Sequence, residues 1–240
     1  MSEGSIGNIT AVLYYMFFVI SGIIIMFRLL NSQKLSIMFK CLLGSVFGTL
    51  EFQWMPIIFA FFMDFTVEAH ICALVIQVLV FILVILKTNR EQGFINTYKK
   101  PIEWKRFLWE NPASIIIFAS FVIFAYCLNT HTILLNSDGS LHTGQATYGD
   151  MNMHIGFITS IAKQHTFPPE YSIYPGIKLA YPFLSDSISS SLYLLGASLR
   201  AAYIIPMLVA VMQVFCGFYS FIKFWFKKGS VAFIAFILFF

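Results

Sequence analysis

Charge is what this chain has least of. Only 11% of its 240 residues are Asp, Glu, Lys or Arg, against 59% apolar ones, and its mean hydropathy is +0.81. Soluble domains carry about 25% charged residues, so a water-facing globule is excluded. Cysteine is sparse as well: Cys41, Cys72, Cys127 and Cys216 stand singly in apolar surroundings. None has a CxxC partner or a histidine at the spacing of a zinc motif, so zinc and dithiol chemistry have no foothold, and the four read as small apolar fillers. The first eight residues hold no Lys or Arg, and the apolar run after them is too long for a signal-peptide core. Transporter-like repeats and low-complexity tracts are missing too.

The chain is instead rich in long uncharged runs and in phenylalanine, with 28 copies. Such runs match about 30 Å of hydrocarbon. They are continuously apolar rather than alternating, which favours helices over a barrel. They lie at Ile9–Leu30, Ile37–Phe62, Ala69–Leu86, Ala113–Thr130, Ala201–Ile222 and from Gly229 to Phe240. The expected fold is all-α: a polytopic membrane protein with about five complete transmembrane helices and a truncated sixth. The last run stops without a polar flank, so a fragment of a longer protein is expected, inactive alone. Residues 1–112 read as a three-helix membrane segment with a basic loop, and residues 113–240 as a second module containing the polar loop 131–200.

Basic residues orient the helices, because Lys and Arg in short loops stay cytoplasmic. Arg28, Lys34 and Lys40 fall in one loop. Lys87, Arg90, Lys99, Lys100, Lys105 and Arg106 fall in the next but one, and Lys223, Lys227 and Lys228 follow on the same side. Only Lys163, Lys178 and Arg200 lie opposite. The N-terminus and loop 131–200 are therefore expected outside. The net charge of +4 belongs to the cytoplasmic rim, where anionic membrane lipids attract it, and calls for no nucleic acid. The 87–112 stretch, with Glu91, Glu103 and Glu110 among its lysines, reads as an amphipathic connector.

The stretch from Asp138 to Arg200 is where chemistry would sit, with three of the five histidines and four of the eight prolines. Asp150 and His154 are four apart and share a helix face, and Ile155, Ile158, Ile161 and Ala162 continue a helical period over about 150–164. Thr147-x-x-Asp150 also fits a capping box, in which Asp150 only satisfies backbone N–H groups. Phe167-Pro168-Pro169 stops that helix, and Tyr174-Pro175-Gly176 reads as a turn. A short helix then follows, capped by Ser185 or Asp186 and ended by Gly196. Asp138, in Asn136-Ser137-Asp138-Gly139, reads as a solvated turn acid. Within the membrane runs, Glu51 is the acid that stands out. Such residues suggest a proton or cation path, or a local hydrogen bond to a neighbouring helix.

The order of these features resembles the first extracytoplasmic loop of the GT-C superfamily of membrane glycosyltransferases. The resemblance rests on Gly149-Asp150, Thr166-Phe167-Pro168-Pro169, Gly176-Ile177-Lys178-Leu179-Ala180-Tyr181-Pro182 and Leu194-Leu195-Gly196. It covers roughly residues 113–225. The three spans ahead of the match, and an Asp150 without a second adjacent acid, depart from the pattern.

The resemblance implies inverting transfer of a sugar from a polyprenyl-phosphate-linked donor at the outer face of a bacterial or archaeal plasma membrane. Asp150 would be the catalytic base, pointing into a cavity within reach of His154 or the Lys178–Pro182 turn. Lys178 first, and Arg200 second, would stabilise the leaving phosphate. His154, Lys178, Tyr181 and Arg200 would bind substrate, and Asp150 with His154 would be the place for a divalent metal ion. The reading from a different class is a non-enzymatic membrane protein or transporter subunit that uses Glu51.

Overall fold

A computed structural model describes residues 3–33, 35–92, 112–144 and 148–240. Among them are eight helices: α1 Glu3–Leu29, α2 Ile37–Met63, α3 Val67–Gln92, α4 Pro112–His131, α5 Tyr148–Gln164, α6 Leu184–Leu194, α7 Leu199–Phe226 and α8 Gly229–Phe239. Lys99, Lys100, Glu103 and Glu110 of the expected connector, and Thr147 of the capping box, lie outside the described residues.

Four helices are long and apolar enough to cross a membrane, at Ile6–Leu29, Ile37–Met63, Val67–Arg90 and Leu199–Phe226. Two shorter apolar helices, Ile115–His131 and Gly229–Phe239, accompany them. The lipid-like exterior follows directly from composition: Leu13, Phe62, Leu83, Ile123, Trp225 and Leu238 are all exposed. In water such a surface would collapse, while in hydrocarbon it costs nothing.

With lipid outside, the helices must be held by close fit and polar contacts rather than by burial of oil. The tightest fit is between α1 and α2. Gly44 and Gly48 form a G-x-x-x-G pair on α2, and a Cβ on either would overlap the α1 backbone at Ile23 or Phe18. Gly22 of α1 sits against both of them. Above that crossing, Phe52 packs its ring edge-on to Tyr15 at 4.7 Å and to Phe18 at 5.6 Å. The polar contact is Gln77 of α3, whose amide nitrogen donates to Ser21 Oγ on α1 and to Glu51 Oε2 on α2, each at 2.8 Å. Glu51 is thus buried in a hydrogen bond to a neighbouring helix, which is the local of its two expected settings.

The segment between α4 and α7 forms a layer over one end of the bundle. Among the described residues, four hydrogen bonds tie it there. Gln53 donates to the Leu184 carbonyl at 2.6 Å, and Asp64 Oδ1 accepts from Phe167 N at 2.8 Å. Asn8 Oδ1 accepts from Ser198 N at 2.7 Å, and His70 Nε2 meets Ser191 Oγ at 2.8 Å. The buried serines of α6 allow that helix to seat closely on the spans. Beneath the layer Ile57, Ala60 and Phe65 from the bundle share a core with Phe157, Ile161 and Leu179.

Two expectations about this layer change. It is not purely helical: β1 Ile133–Leu135 pairs antiparallel with β2 Leu141–Thr143, and β3 Glu170–Tyr171 with β4 Tyr174–Lys178. Tyr174-Pro175-Gly176, expected as a turn, begins strand β4. Its proline fits because a two-stranded ribbon is all edge, where a missing N–H is tolerated. Neither Ser185 nor Asp186 caps α6, whose N-cap is Phe183 with no side-chain bond. Other limits hold: α5 ends at Gln164, three residues before Phe167, and Gly196 takes φ +100 just past α6.

Candidate functional site

The layer brings one acid and one base together, and the acid is Asp186. His154 lies in the second turn of α5 and Asp186 in the first turn of α6. His154 Nδ1 is 3.0 Å from Asp186 Oδ2 and 3.1 Å from Oδ1. The contact forms because α5 and α6 pack across their apolar faces, which places these two polar positions opposite each other. Asp186 is only 7% exposed, while the His154 side chain keeps 29% of its surface open. Burial pushes the Asp186 carboxyl above the ordinary range, and the hydrogen bond and charge of His154 pull it back in part.

Aromatic rings frame the histidine. Tyr181 stands edge-on to it at 6.0 Å and Phe157 at 6.3 Å, and those two rings lie 5.3 Å apart. With Nδ1 committed to Asp186, the geometry favours a proton on Nδ1 and a free lone pair on Nε2. Nε2 has no hydrogen-bond partner among the described residues. Phe157 also borders a groove of about 530 Å³ running along α5, lined by Asn152, Gly156, Ser160, Lys163, Tyr171 and Ser172 among others. Such a mix of amides, hydroxyls, one ammonium group and an aromatic ring suits a ligand rich in hydroxyl groups.

The other expected site residues are placed differently. Asp150 shares the α5 face of His154 in sequence, but it is exposed, makes no hydrogen bond to a described residue, and does not line this groove. Asp186, rather than Asp150, stands against His154, and the groove lies along α5 from Asn152 to Gln164. Lys178 is mostly exposed and pairs with Glu170 at 3.6 Å across the β3–β4 ribbon. Arg200 lies elsewhere, donating from Nε to the Ile133 carbonyl at 3.0 Å and from Nη2 to the Asn129 carbonyl at 2.6 Å. Asp138 is exposed and accepts from Ser140 N at 2.9 Å and Ser140 Oγ at 2.7 Å, the self-contained turn expected of it.

Among the described residues, no three His, Cys, Asp or Glu side chains gather as a metal site. Among the described residues, Asp150 and His154 therefore have no third ligand to close a site around a divalent ion. Asp186 was readable from the sequence only as a helix-start residue. A second clue was present in the same stretch: an acid inside a serine-rich helix that packs on its neighbours needs a partner, and His154 is one of the imidazoles of the layer able to supply it.

No family model, no curated protein and no solved structure matches this chain.

Proposed function

We propose that this chain serves in glycosyl transfer at the outer face of a membrane, taking a sugar from a polyprenyl-phosphate-linked donor. It is read as a multi-pass protein with α4 as a fifth span, α8 entering as a sixth, and the N-terminus and loop layer outside. The single observation that carries the reading is the His154–Asp186 pair, sheltered in a layer over the ends of the spans and beside a groove suited to hydroxyl-rich ligands.

In this reading the acceptor hydroxyl gives its proton to His154 Nε2 as its oxygen attacks the anomeric carbon of the sugar. The bond from that carbon to the phosphate oxygen breaks, and its electron pair leaves on the lipid phosphate. Asp186 holds the imidazole in orientation and stabilises the imidazolium that forms. Tyr181 and Phe157 exclude water from one side of the ring. Lys178, three residues before Tyr181, is the cation assigned to the leaving phosphate, for which it would exchange Glu170. Asp150 remains the competing base, since it precedes His154 by one turn and matches the resemblance.

The test uses membranes from cells whose own copy is replaced by a variant. They are supplied with a panel of polyprenyl-phosphate hexoses, and acceptor-dependent release of polyprenyl phosphate is measured. His154→Ala and Asp186→Asn are expected to lose release while the protein level in the membrane is kept. Loss in Asp150→Asn with Asp186→Asn still active would move the base to Asp150. The reading as a transporter subunit draws on Glu51, buried with Gln77 and Ser21 among the spans. It would prevail if Glu51→Gln alone abolished function.

A further inference from the structure

A second groove, of about 560 Å³, opens where the outer-layer ends of α1, α4 and α7 meet the β1–β2 hairpin. It is lined at one end by Asn8, Asn129, Ser198 and Arg200, and along its length by Leu135, Leu141, Ile204, Ile205 and Leu208. Positions 200, 201, 204, 205 and 208 fall on one face of α7, so the groove follows the helix down into the apolar span. Polar head, apolar length and direction along a membrane helix are the outline of a lipid.

Arg200 supplies the charge logic. Its guanidinium is partly buried, and its partners are neutral: the Ile133 carbonyl, the Asn129 carbonyl and, at 3.5 Å, Asn129 Oδ1. No carboxylate lies within 4 Å of it among the described residues. The acid of the same hairpin, Asp138, is turned onto Ser140. These bonds use Nε and Nη2, which leaves Nη1 with two N–H donors and no described partner. Asn8 spends its amide oxygen on Ser198 N, so its NH₂ group is a further donor at the same rim. A cation at the edge of hydrocarbon, with free donors and no counter-ion among the described residues, is matched by an anionic oxygen group.

We propose that this groove binds an anionic glycerophospholipid of the leaflet on the loop-layer side, its phosphate on Arg200 and one acyl chain along α7. The site is separate from the His154–Asp186 pair. Neither His154 nor Asp186, nor the Phe157 and Tyr181 rings that frame them, lines this groove. It does not depend on the glycosyl-transfer reading. A lipid there would brace the hairpin against α7, a joint otherwise made mainly by the Arg200 bonds.

The experiment is native mass spectrometry of the whole chain released from phosphatidylcholine nanodiscs doped with phosphatidylglycerol. Wild type is expected to retain phosphatidylglycerol over phosphatidylcholine, and Arg200→Gln to lower that retention about tenfold, the size of one lost charge-assisted bond. Arg200→Lys, which keeps the charge but not the fork, should fall between them. Leu208→Trp fills the tail path with Arg200 intact and should also lower retention, which keeps the test decisive if Arg200→Gln fails to fold. Unchanged retention in both Arg200→Gln and Leu208→Trp would overturn the proposal, as would equal retention of phosphatidylcholine. Displacement by tail-free glycerol phosphate would remove the role of the apolar groove. Displacement by an equal amount of polyprenyl phosphate would reassign the site to a donor lipid.

Discussion

Two acids among the described residues lose most of their water, Glu51 in the bundle and Asp186 in the layer above it, and they lose it in different company. Glu51 meets an amide and sits in a helix–helix contact with no cation beside it among the described residues. Asp186 meets an imidazole whose far side is still open to solvent. A carboxyl among neutral partners can do little more than hold helices in register. A carboxyl behind a half-open histidine makes that histidine a better base. Burial alone therefore does not mark the working acid; the partner does.

The comparison breaks most sharply through His154. On the proposed glycosyl-transfer reading, its replacement by Ala is expected to lower transfer by about 10²–10⁴, the usual contribution of a positioned general base, whereas Glu51→Gln should leave transfer within about twofold on the same scale. Release of polyprenyl phosphate by variant membranes measures both. If Glu51→Gln were the more damaging change, the roles assigned to the two acids would have to be exchanged.

The bundle has its own weak point, set by closeness rather than charge. Gly48→Leu places a side chain where α1 and α2 touch backbone to backbone, and overpacking of this kind costs about 1–3 kcal/mol or more. The thermal unfolding midpoint in detergent should drop well below that of Gly149→Ala, whose Cβ meets open space. Equal midpoints would show that the glycine contact does not hold the spans together.

Much of this was legible from residues alone. The long spans follow from uncharged runs, the end of α5 from the prolines after Thr166, and the setting of Asp138 from Ser-Asp-Gly-Ser. The contacts that matter most were not. His154 and Asp186 are 32 residues apart, and which acid meets the histidine depends on how α5 and α6 pack, not on spacing within either helix. Asp150, four residues away, looked the nearer partner only because sequence distance stood in for space. The contact of Gly44 and Gly48 with Gly22 was not read from the sequence, because it is fixed only by the crossing of α1 and α2. The β-hairpins were hidden because strands of two to five residues are too short to show a period.

A milder probe sharpens the Glu51 side. Glu51→Gln keeps the shape and a polar end for Gln77, so the unfolding midpoint should barely move. Glu51→Leu removes the acceptor and leaves the Gln77 amide, fully buried, short of a partner. The loss should be about 1–3 kcal/mol, the penalty for an unsatisfied buried group. If Leu proved as stable as Gln, the hydrogen bond to Gln77 would not matter to helix packing.

The smallest effect sets Asp186 against Asp138, the exposed acid of the hairpin, through the sign of their pH dependence. Hydrogen bonds from the Ser140 hydroxyl and N–H hold the Asp138 carboxyl below the ordinary range. The folded state then binds fewer protons there than the unfolded one, so this acid adds stability above about pH 4 and loses it as pH falls through its folded value. Burial raises the Asp186 carboxyl, so the folded state binds more protons and the sign is reversed. Its contribution is full below about pH 4 and is lost as pH rises through its folded value. Asp138→Asn should therefore flatten the acid side of the stability profile slightly in one direction, and Asp186→Asn should flatten it in the other. Unfolding midpoints of the two variants, each subtracted from wild type between about pH 3 and pH 7, should give difference curves of opposite slope. Two slopes of the same sign would mean that Asp186 is stabilised as an anion, against the direction its burial sets.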